Sequence, residues 1–457
     1  MARNTMNSQD SRLGRRQFLR RSAFVTTLTF VPAQIVGLGR AAAAAPSNRF
    51  NLACIGVGGR GGDNLNSVRD QSIVALCDVD EGRLAAAQKI APQARVFQDY
   101  RVLLDQVGRD VDGVVVSTPD HTHAVTAIAA IKSGKHVYCE KPLAHSVFEV
   151  RALVKAAQEA KVITQLGNQG HSFDSIREFR EMLDSGAIGA VNEVHACCSN
   201  SYRPRRFRVR PTDEPPVPKG LAWDLWLGPV EARPYHPAYL PGIWRGWVPF
   251  GTGIMGDWTC HVVDPVFWAL KLGSPTSVEA RALEYDDPKV RAETFPPGTQ
   301  VTFKFPARGD LPPVTLKLFD GSIRPPRPGE LEPERKITDT GAVVIGDKGK
   351  IMYGSHGAGG WQLLPKARND ATPRPPQTIP RVKGHHEDWI EACKYNRPAG
   401  SNFEYGGALT EIALLGVVAM RCNGRRLGWD SAAMRFTNDA EATRYLTPTF
   451  RAGWSLR

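Results

Sequence analysis

The sequence predicts an α/β protein in two parts: a parallel sheet wrapped by helices, then an α/β region with an open, mostly antiparallel sheet. Two observations carry this. Between Phe50 and Leu166, short apolar runs alternate with helical stretches, the pattern of βαβ units. From about Ala190 the strand-like runs continue, but no regular helices separate them. At 457 residues the chain has room for two or three domains. Apolar residues make up 42% and charged residues 23%, which excludes a wholly disordered or fibrous chain.

The N-terminus reads as an address. Residues 1–45 hold seven arginines and one acid, Asp10, and so carry half of the formal net charge of +12. The mildly basic remainder calls for no nucleic-acid partner. Arg15-Arg16 followed by Phe18-Leu19, a moderately apolar run from Ser22 to Gly39, and the alanines 41–45 form a twin-arginine (Tat) signal pattern with small-x-small cleavage sites. The expectation is a chain passed by the Tat translocase to the periplasm or otherwise exported, with an uncleaved anchor as the alternative. No later segment reads as a bilayer span. The eight cysteines show neither a disulfide framework nor a zinc spacing. They fit a protein that folds, and loads any cofactor, before export.

The first strand, Phe50 to Ile55, runs into Gly56-Val57-Gly58-Gly59-Arg60-Gly61. A second strand, Ser72 to Cys77, ends at Asp78. Strand, G-x-G-x-x-G, helix and a spaced acid together make the fingerprint of a Rossmann dinucleotide site over residues 46–170. Gly56 permits the tight turn, Gly58 lets backbone approach a pyrophosphate, and Gly61 allows close helix–strand packing. Asp78 suits a ribose diol and repels a 2′-phosphate, which favours NAD; Arg60 and Arg83 keep NADP open.

The alternation continues through strand Asp112–Thr118 and Pro119-Asp120-His121-Thr122-His123, then strand Lys135–Cys139 and Glu140-Lys141-Pro142. Strand Val162–Leu166 leads to the turn Gly167-Asn168-Gln169-Gly170-His171. Ligands of such sheets bind beyond the strand C-termini, where these clusters fall. His121 and His123 lack a third ligand, so no metal is expected. Asp120 or Thr122 should cap the next helix, with His123 near the cofactor.

Residues 171–457 carry strand-like runs at Val191–Cys197, Ser277–Tyr285, Gln300–Phe305, Val314–Phe319 and Ala342–Tyr353. Residues 201–250 are rich in Pro and aromatics, suited either to stacking on sugar rings or to packing an interface. The arginines at 203, 205, 206, 208 and 210 read as a solvated or intersubunit patch. Residues 365–382 read as a surface loop. His385-His386 reads as the start of a helix rather than a metal site. In Gly251-Thr252-Gly253-Ile254-Met255-Gly256-Asp257-Trp258-Thr259-Cys260-His261, a helix would put Asp257 and His261 on one face. A carboxylate beside a histidine is a plausible acid/base pair.

Together these motifs resemble the Gfo/Idh/MocA family of sugar and polyol oxidoreductases over nearly the whole chain past residue 48. The resemblance rests on Gly56-x-Gly58-x-x-Gly61, Thr118-Pro119-Asp120-His121-x-His123, Glu140-Lys141-Pro142, and Gly251-Thr252-Gly253 leading to Asp257-x-x-x-His261. Thr252, Thr259 and the 167–171 turn depart from the family's usual residues. The tail, from Tyr405-Gly406 through Trp429-Asp430 to Trp454, is similar to exported members. The resemblance implies a Rossmann domain, a second domain whose open sheet carries substrate and a homo-oligomer interface, and late helices that pack back on the first domain. By carry-over, Lys141, Asp257 and His261 are catalytic. Gly56, Gly58, Gly59, Arg60, Gly61, Asp78, Thr118, Pro119, Asp120, His123, Glu140 and Lys141 hold a tightly bound NAD. Asn168, His171, Trp244, Arg245 and His261 meet the substrate.

The expected reaction is hydride transfer from a secondary hydroxyl of a sugar, glycoside or polyol. His261 takes the hydroxyl proton, Asp257 orients His261 or holds a neighbouring hydroxyl, and Lys141 polarises the forming carbonyl. Two alternatives stay open: an NAD-dependent glycosidase working by oxidation and elimination, and a catalytically silent sugar-binding sensor.

Overall fold

The computed structural model describes residues 49–456 apart from Arg203, Arg205 and Pro241; the twin-arginine segment lies outside the described residues. Among the described residues, fifteen strands and fourteen α-helices follow. The first half runs β1 (Asn51–Ile55), α1 (Arg60–Ser67), β2 (Ser72–Cys77), α2 (Glu81–Gln88), β3 (Arg95–Phe97), α3 (Tyr100–Val107), β4 (Gly113–Val116), α4 (Asp120–Lys132), β5 (His136–Cys139), α5 (Val147–Ala160) and β6 (Thr164–Leu166). These strands form one parallel sheet in the order β3-β2-β1-β4-β5-β6, the doubly wound arrangement whose ligands sit where the order reverses. Sequence reasoning did not find β3, a mostly exposed edge strand of three residues.

Register is what makes a site here. Ile55 pairs with Cys77 and Val116, Val116 with Cys139, and Cys139 with Leu166. The strands therefore end level, and the loops after β1, β2, β4, β5 and β6 share one rim. Local chemistry sets the helix starts. Asp80 accepts from Gly82 and Arg83 backbone N–H groups, Asp99 from Arg101, and Ser146 from Glu149. Helix α4 departs from expectation. Its cap position is Pro119 with no side-chain bond, because Asp120 is drawn instead to Thr252, as described below.

The second half runs α6 (Asp174–Asp184), β7 (Val191–Cys198), α7 (Trp223–Leu227), α8 (Gly253–Val262), α9 (Asp264–Ala269), β8 (Ser277–Ala282), α10 (Pro288–Glu293), β9 (Gly298–Phe305), β10 (Val314–Gly321), β11 (Thr340–Gly346), β12 (Gly349–Gly354), β13 (Gln362–Leu364), α11 (Lys366–Ala371), α12 (His385–Tyr395), α13 (Phe403–Arg421), β14 (Arg426–Asp430), β15 (Arg435–Phe436) and α14 (Ala440–Arg444). The sheet order is β13-β12-β11-β7-β10-β9-β8-β14-β15. The β7–β10 pair is parallel and the other neighbours are antiparallel. The run Ala342–Tyr353 is not one strand but a hairpin, turning between Gly346 and Gly349. Within the expected 365–382 loop, Lys366–Ala371 forms a helix with no buried residue.

One face of this sheet packs on α8 and α13 in a core that includes Met255, Val301, Phe303, Leu316 and Leu415. Helix α13 is long and apolar enough to span a membrane, contrary to the sequence expectation, but 83% of it is buried inside the protein, which makes it a core helix. Helix α12 returns to the first sheet, where Trp389 packs edge-on against Phe50 and Tyr138. The Pro/aromatic stretch 201–250 builds its own core from Trp223, Trp226, Tyr239, Trp244, Trp247 and Phe250. Its rings mainly pack one another. Of the basic run, Arg210 pairs with Glu293, and Arg208 donates to the Glu284 carbonyl. Arg203 and Arg205 lie outside the described residues. All eight cysteines are free thiols.

Candidate active site

The glycine loop after β1 is shaped by contacts that exclude side chains. Gly56 has φ +78°, and a Cβ there would lie 2.7 Å from the Ser117 carbonyl; one on Gly61 would lie 1.9 Å from the Gly56 oxygen. Only glycine lets α1 close on β1 in this way. A Cβ on Gly59 would meet nothing within 4 Å, so the loop is open on its outer side. Helix α1 has no side-chain cap; the Gly61 and Gly62 N–H groups close on the Gly58 and Gly59 carbonyls at 3.0 and 2.9 Å, and a glycine turn at a helix start of this kind suits an anion. The Asp78 carboxylate accepts from Val57 N at 2.9 Å and Asp80 N at 3.1 Å. It therefore also ties the glycine loop to the end of β2. Burial raises its pKa.

A cleft of about 1010 Å³ opens over this rim. Gly58, Gly59, Arg60, Thr118, Pro119, Asp120, His123, Glu140 and Lys141 line it from the first half. Trp244, Arg245, Asp257 and His261 line it from the second. A neighbouring chamber of about 90 Å³ shares Gly58, Asp80, Thr118, Pro119 and Trp244 with the cleft and is walled by Gly56 and Asp78. The two spaces thus run on from one another past the glycine loop. Glycine cradle, uncapped helix and elongated double cavity fit a dinucleotide.

Four side chains meet at the far end of the cleft, the buried Asp257 and the partly buried Lys141, Arg245 and Tyr202. The Lys141 ammonium donates to Asp257 Oδ1 and, at 3.2 Å, to the Asp257 carbonyl. Arg245 Nε lies 3.3 Å from the same Oδ1. The Tyr202 hydroxyl donates to Oδ2 at 2.5 Å. Burial alone would raise the Asp257 carboxyl, but Lys141 and Arg245 outweigh it and hold it well below the usual range. Burial and the adjacent Asp257 charge push the Tyr202 phenol up.

His261 lies one turn further along α8. Its ring packs against His356, centroids 4.1 Å apart, and against Trp258 at 5.7 Å. Burial, then Lys141 and His356, hold its pKa well below the ordinary value, so the ring is neutral. Its Nδ1 has no hydrogen-bond partner among the described residues. Asp257 does not orient it, contrary to one expectation: both carboxylate oxygens are taken by Lys141, Arg245 and Tyr202.

The remaining residues divide. Glu140 Oε1 accepts from Arg60 Nε, Asn64 and Gln169 at 3.1, 2.9 and 2.9 Å, bracing the rim. His123 is wedged between the Pro142 and Thr118 carbonyls at 2.8 and 2.7 Å. Asp120 Oδ2 accepts from Thr252 N and Oγ1 at 3.1 and 2.6 Å. That bond seats the start of α8 on the first half. Asn168 and His171, expected at the substrate, do not line the cleft. The chain turns away at Asn168, whose Oδ1 accepts from Ser401 at 2.7 Å, and His171 Nδ1 lies 3.0 Å from Asp264. Gln169 reaches the cleft in their place.

Sequence reasoning also missed Tyr202, His356 and Asp80. Tyr202 has no motif around it. His356 sits in the glycine-rich turn Gly354–Gly360, a signal that could have marked it. Among the described residues no group of three or more His, Cys, Asp or Glu could hold a metal ion.

Residues 50–168 match the family description "Oxidoreductase family, NAD-binding Rossmann fold", and residues 174–304 match the family's C-terminal alpha/beta domain. The two matches cover more than half of the chain, which belongs to the Gfo/Idh/MocA oxidoreductase family. It is similar to inositol 2-dehydrogenase of Salmonella typhimurium, 33% identical over 147 residues, 31% of this chain and 43% of that protein. The chain thus matches less than half the length of this relative. Among solved structures, the WlbA dehydrogenase from Bordetella pertussis, in complex with NADH and UDP-GlcNAcA, matches with TM-score 0.57 at 18% identity, covering 84% of this chain and 99% of its own. An inositol dehydrogenase homolog from Azotobacter vinelandii, complexed with NADH and myo-inositol, matches at 0.54 and 18%, covering 83% and 98%. These likenesses are of fold.

Proposed function

We propose that the protein is an NAD-dependent oxidoreductase acting on a secondary hydroxyl of a sugar, glycoside or polyol. The observation that carries this is the meeting of Lys141 and His261, from opposite halves of the chain, at one end of a cleft whose other end is the glycine loop. A nicotinamide dinucleotide held along that loop supplies a hydride acceptor for the carbinol carbon. His261, neutral, takes the hydroxyl proton as the C–H hydride leaves and the carbonyl forms. Lys141 donates to the reacting oxygen and stabilises its negative charge. Asp257, itself held by the Tyr202 hydroxyl, keeps Lys141 in place. Trp244 and Arg245 offer a flat wall and a donor to the substrate.

Asp78 favours NAD over NADP. The twin-arginine pattern supports export in folded form with the cofactor tightly bound. A homo-oligomer through the second sheet would use an outer face that is polar, where Glu193 accepts from both Lys317 and His195.

The reading is tested with a panel of sugars, polyols and aryl glycosides, following nicotinamide reduction and aglycone release together. Reduced cofactor with an oxidised sugar supports it. Aglycone release without net reduction transfers the assignment to an oxidation–elimination glycosidase. Bound dinucleotide with no turnover of any compound transfers it to a sugar-binding sensor.

A further inference from the structure

The chamber beside Asp78 is closed by two pieces of chain that belong to neither the strands nor the helices of the first sheet. Leu221, Leu225, Trp226 and Leu240 of the 201–250 stretch form one wall, and Trp454 of the C-terminal tail forms another. Apolar and aromatic surfaces of this kind suit a flat base, and the chamber adjoins the acid suited to a ribose diol.

Both pieces are fastened. On the inner side, Ala222 N donates to the Val79 carbonyl at 2.9 Å and Glu81 N to the Gly220 carbonyl at 3.0 Å. His121 Nε2 lies 2.8 Å from the Trp226 carbonyl, with its ring tilted against the Trp226 indole. On the outer side a single side chain does most of the fastening. Arg451 donates to Asp224 Oδ1 at 2.6 Å, to the Asp224 carbonyl at 2.7 Å and to the Gly228 carbonyl at 2.6 Å. Its backbone N–H reaches the Pro229 carbonyl at 3.0 Å. Those bonds hold α7 closed from above. Three residues on, Trp454 lies under the Arg101 guanidinium, 4.7 Å from the ring centre, and beside Tyr100. Lys132 Nζ donates to the Leu456 carbonyl at 2.9 Å.

We propose that Arg451 clamps α7 and the tail over the adenosine end of the dinucleotide site, so that the cofactor is resident and leaves only when the tail lifts. The proposal rests on the dinucleotide reading above and adds to it the part of the chain that sets retention. Arg451 is a positioning residue: it holds the roof of the chamber and does not itself line it.

The test is the rate at which dinucleotide is lost from purified protein, measured by timed gel filtration, acid release and chromatography of the nucleotide. Charge-assisted bonds of this kind are worth enough that Arg451→Ala should release cofactor about 10- to 100-fold faster than wild type. Trp454→Ala should act in the same direction, and Arg451→Lys should fall between. Should Arg451→Ala fail to fold, Asp224→Asn weakens the same clamp from an exposed position. Release at the wild-type rate in these variants, with wild-type protein carrying dinucleotide, overturns the clamp and leaves the dinucleotide reading standing. Wild-type protein that carries no dinucleotide, and whose melting temperature does not rise with added NAD, overturns both.

Discussion

Lys141 and Asp257 stand 116 residues apart in the chain and form an ion pair whose side chains are 12% and 6% exposed. One comes from the loop after β5 in the parallel sheet, the other from α8 beneath the mixed sheet. Their pairing joins the two halves at the end of the cleft. Removing one partner of a buried pair strands the other charge, at about 3–5 kcal/mol. Asp257→Ala should therefore destabilise by roughly 3 kcal/mol. The double variant Lys141→Met/Asp257→Leu should lose less than the sum of its single changes. Denaturant unfolding of the four proteins measures the cycle, and simple additivity would refute the coupling.

Turnover in the Lys141 and His261 variants should fall by more than any loss of stability accounts for. Lys141→Ala and His261→Ala are each expected to keep bound dinucleotide and to lose about 10²–10⁴ in rate. Because the loss is felt in the transition state, kcat and kcat/KM should fall together. Near-normal rates in both would remove these residues from the reaction.

Cofactor choice should follow Asp78. Its carboxylate repels a 2′-phosphate, so Asp78→Ser should narrow the preference for NAD over NADP. The same change removes acceptors from Val57 and Asp80 N–H, so affinity for NAD should fall as well. Titration of both dinucleotides by intrinsic fluorescence checks this, and a wild-type protein that prefers NADP contradicts it.

Acid should weaken the fold through α12. His385 Nε2 lies 2.7 Å from the Leu166 carbonyl and Nδ1 lies 2.7 Å from the Ser172 hydroxyl, a pattern that suits a neutral ring. Burial pushes His385 down from 6.5 to about 3 and His386 down to about 4. Both folded-state values are depressed, so between those values and 6.5 the unfolded chain holds protons that the folded chain does not. Stability is present above pH 6.5 and falls as pH drops, by up to about 1.4 kcal/mol per pH unit for each group. Melting temperatures from pH 7 to pH 5 should decline, and less steeply in His385→Gln. A flat profile would contradict the assignment.

Much of the first half was legible because its signals are local. Apolar runs bounded by Gly56, Asp78, Pro119 and Pro142 mark strands and the ends where ligands bind. β3 escaped because an exposed edge strand of three residues has no apolar period. The hairpin inside Ala342–Tyr353 was hidden by apolar residues on both arms, although Gly346 and Gly349 bracket its turn. Asn168 and His171 were misplaced because they flank Gln169: neighbouring residues in a tight turn point in different directions, and sequence adjacency to a rim does not give access to it.

By itself, the sequence determined the α/β class, the glycine turn and the residues able to carry proton-transfer chemistry, since each depends on spacing within a few residues or on residue type. Tertiary structure alone decided that Asp257 serves Lys141, Arg245 and Tyr202 rather than His261, that Tyr202 and His356 join the cleft, and that Arg451 reaches Asp224 across 227 positions. Those outcomes depend on which side chains meet when separate elements pack. A buried charge settles on whichever partner the packing brings within reach, and no local pattern records that distance.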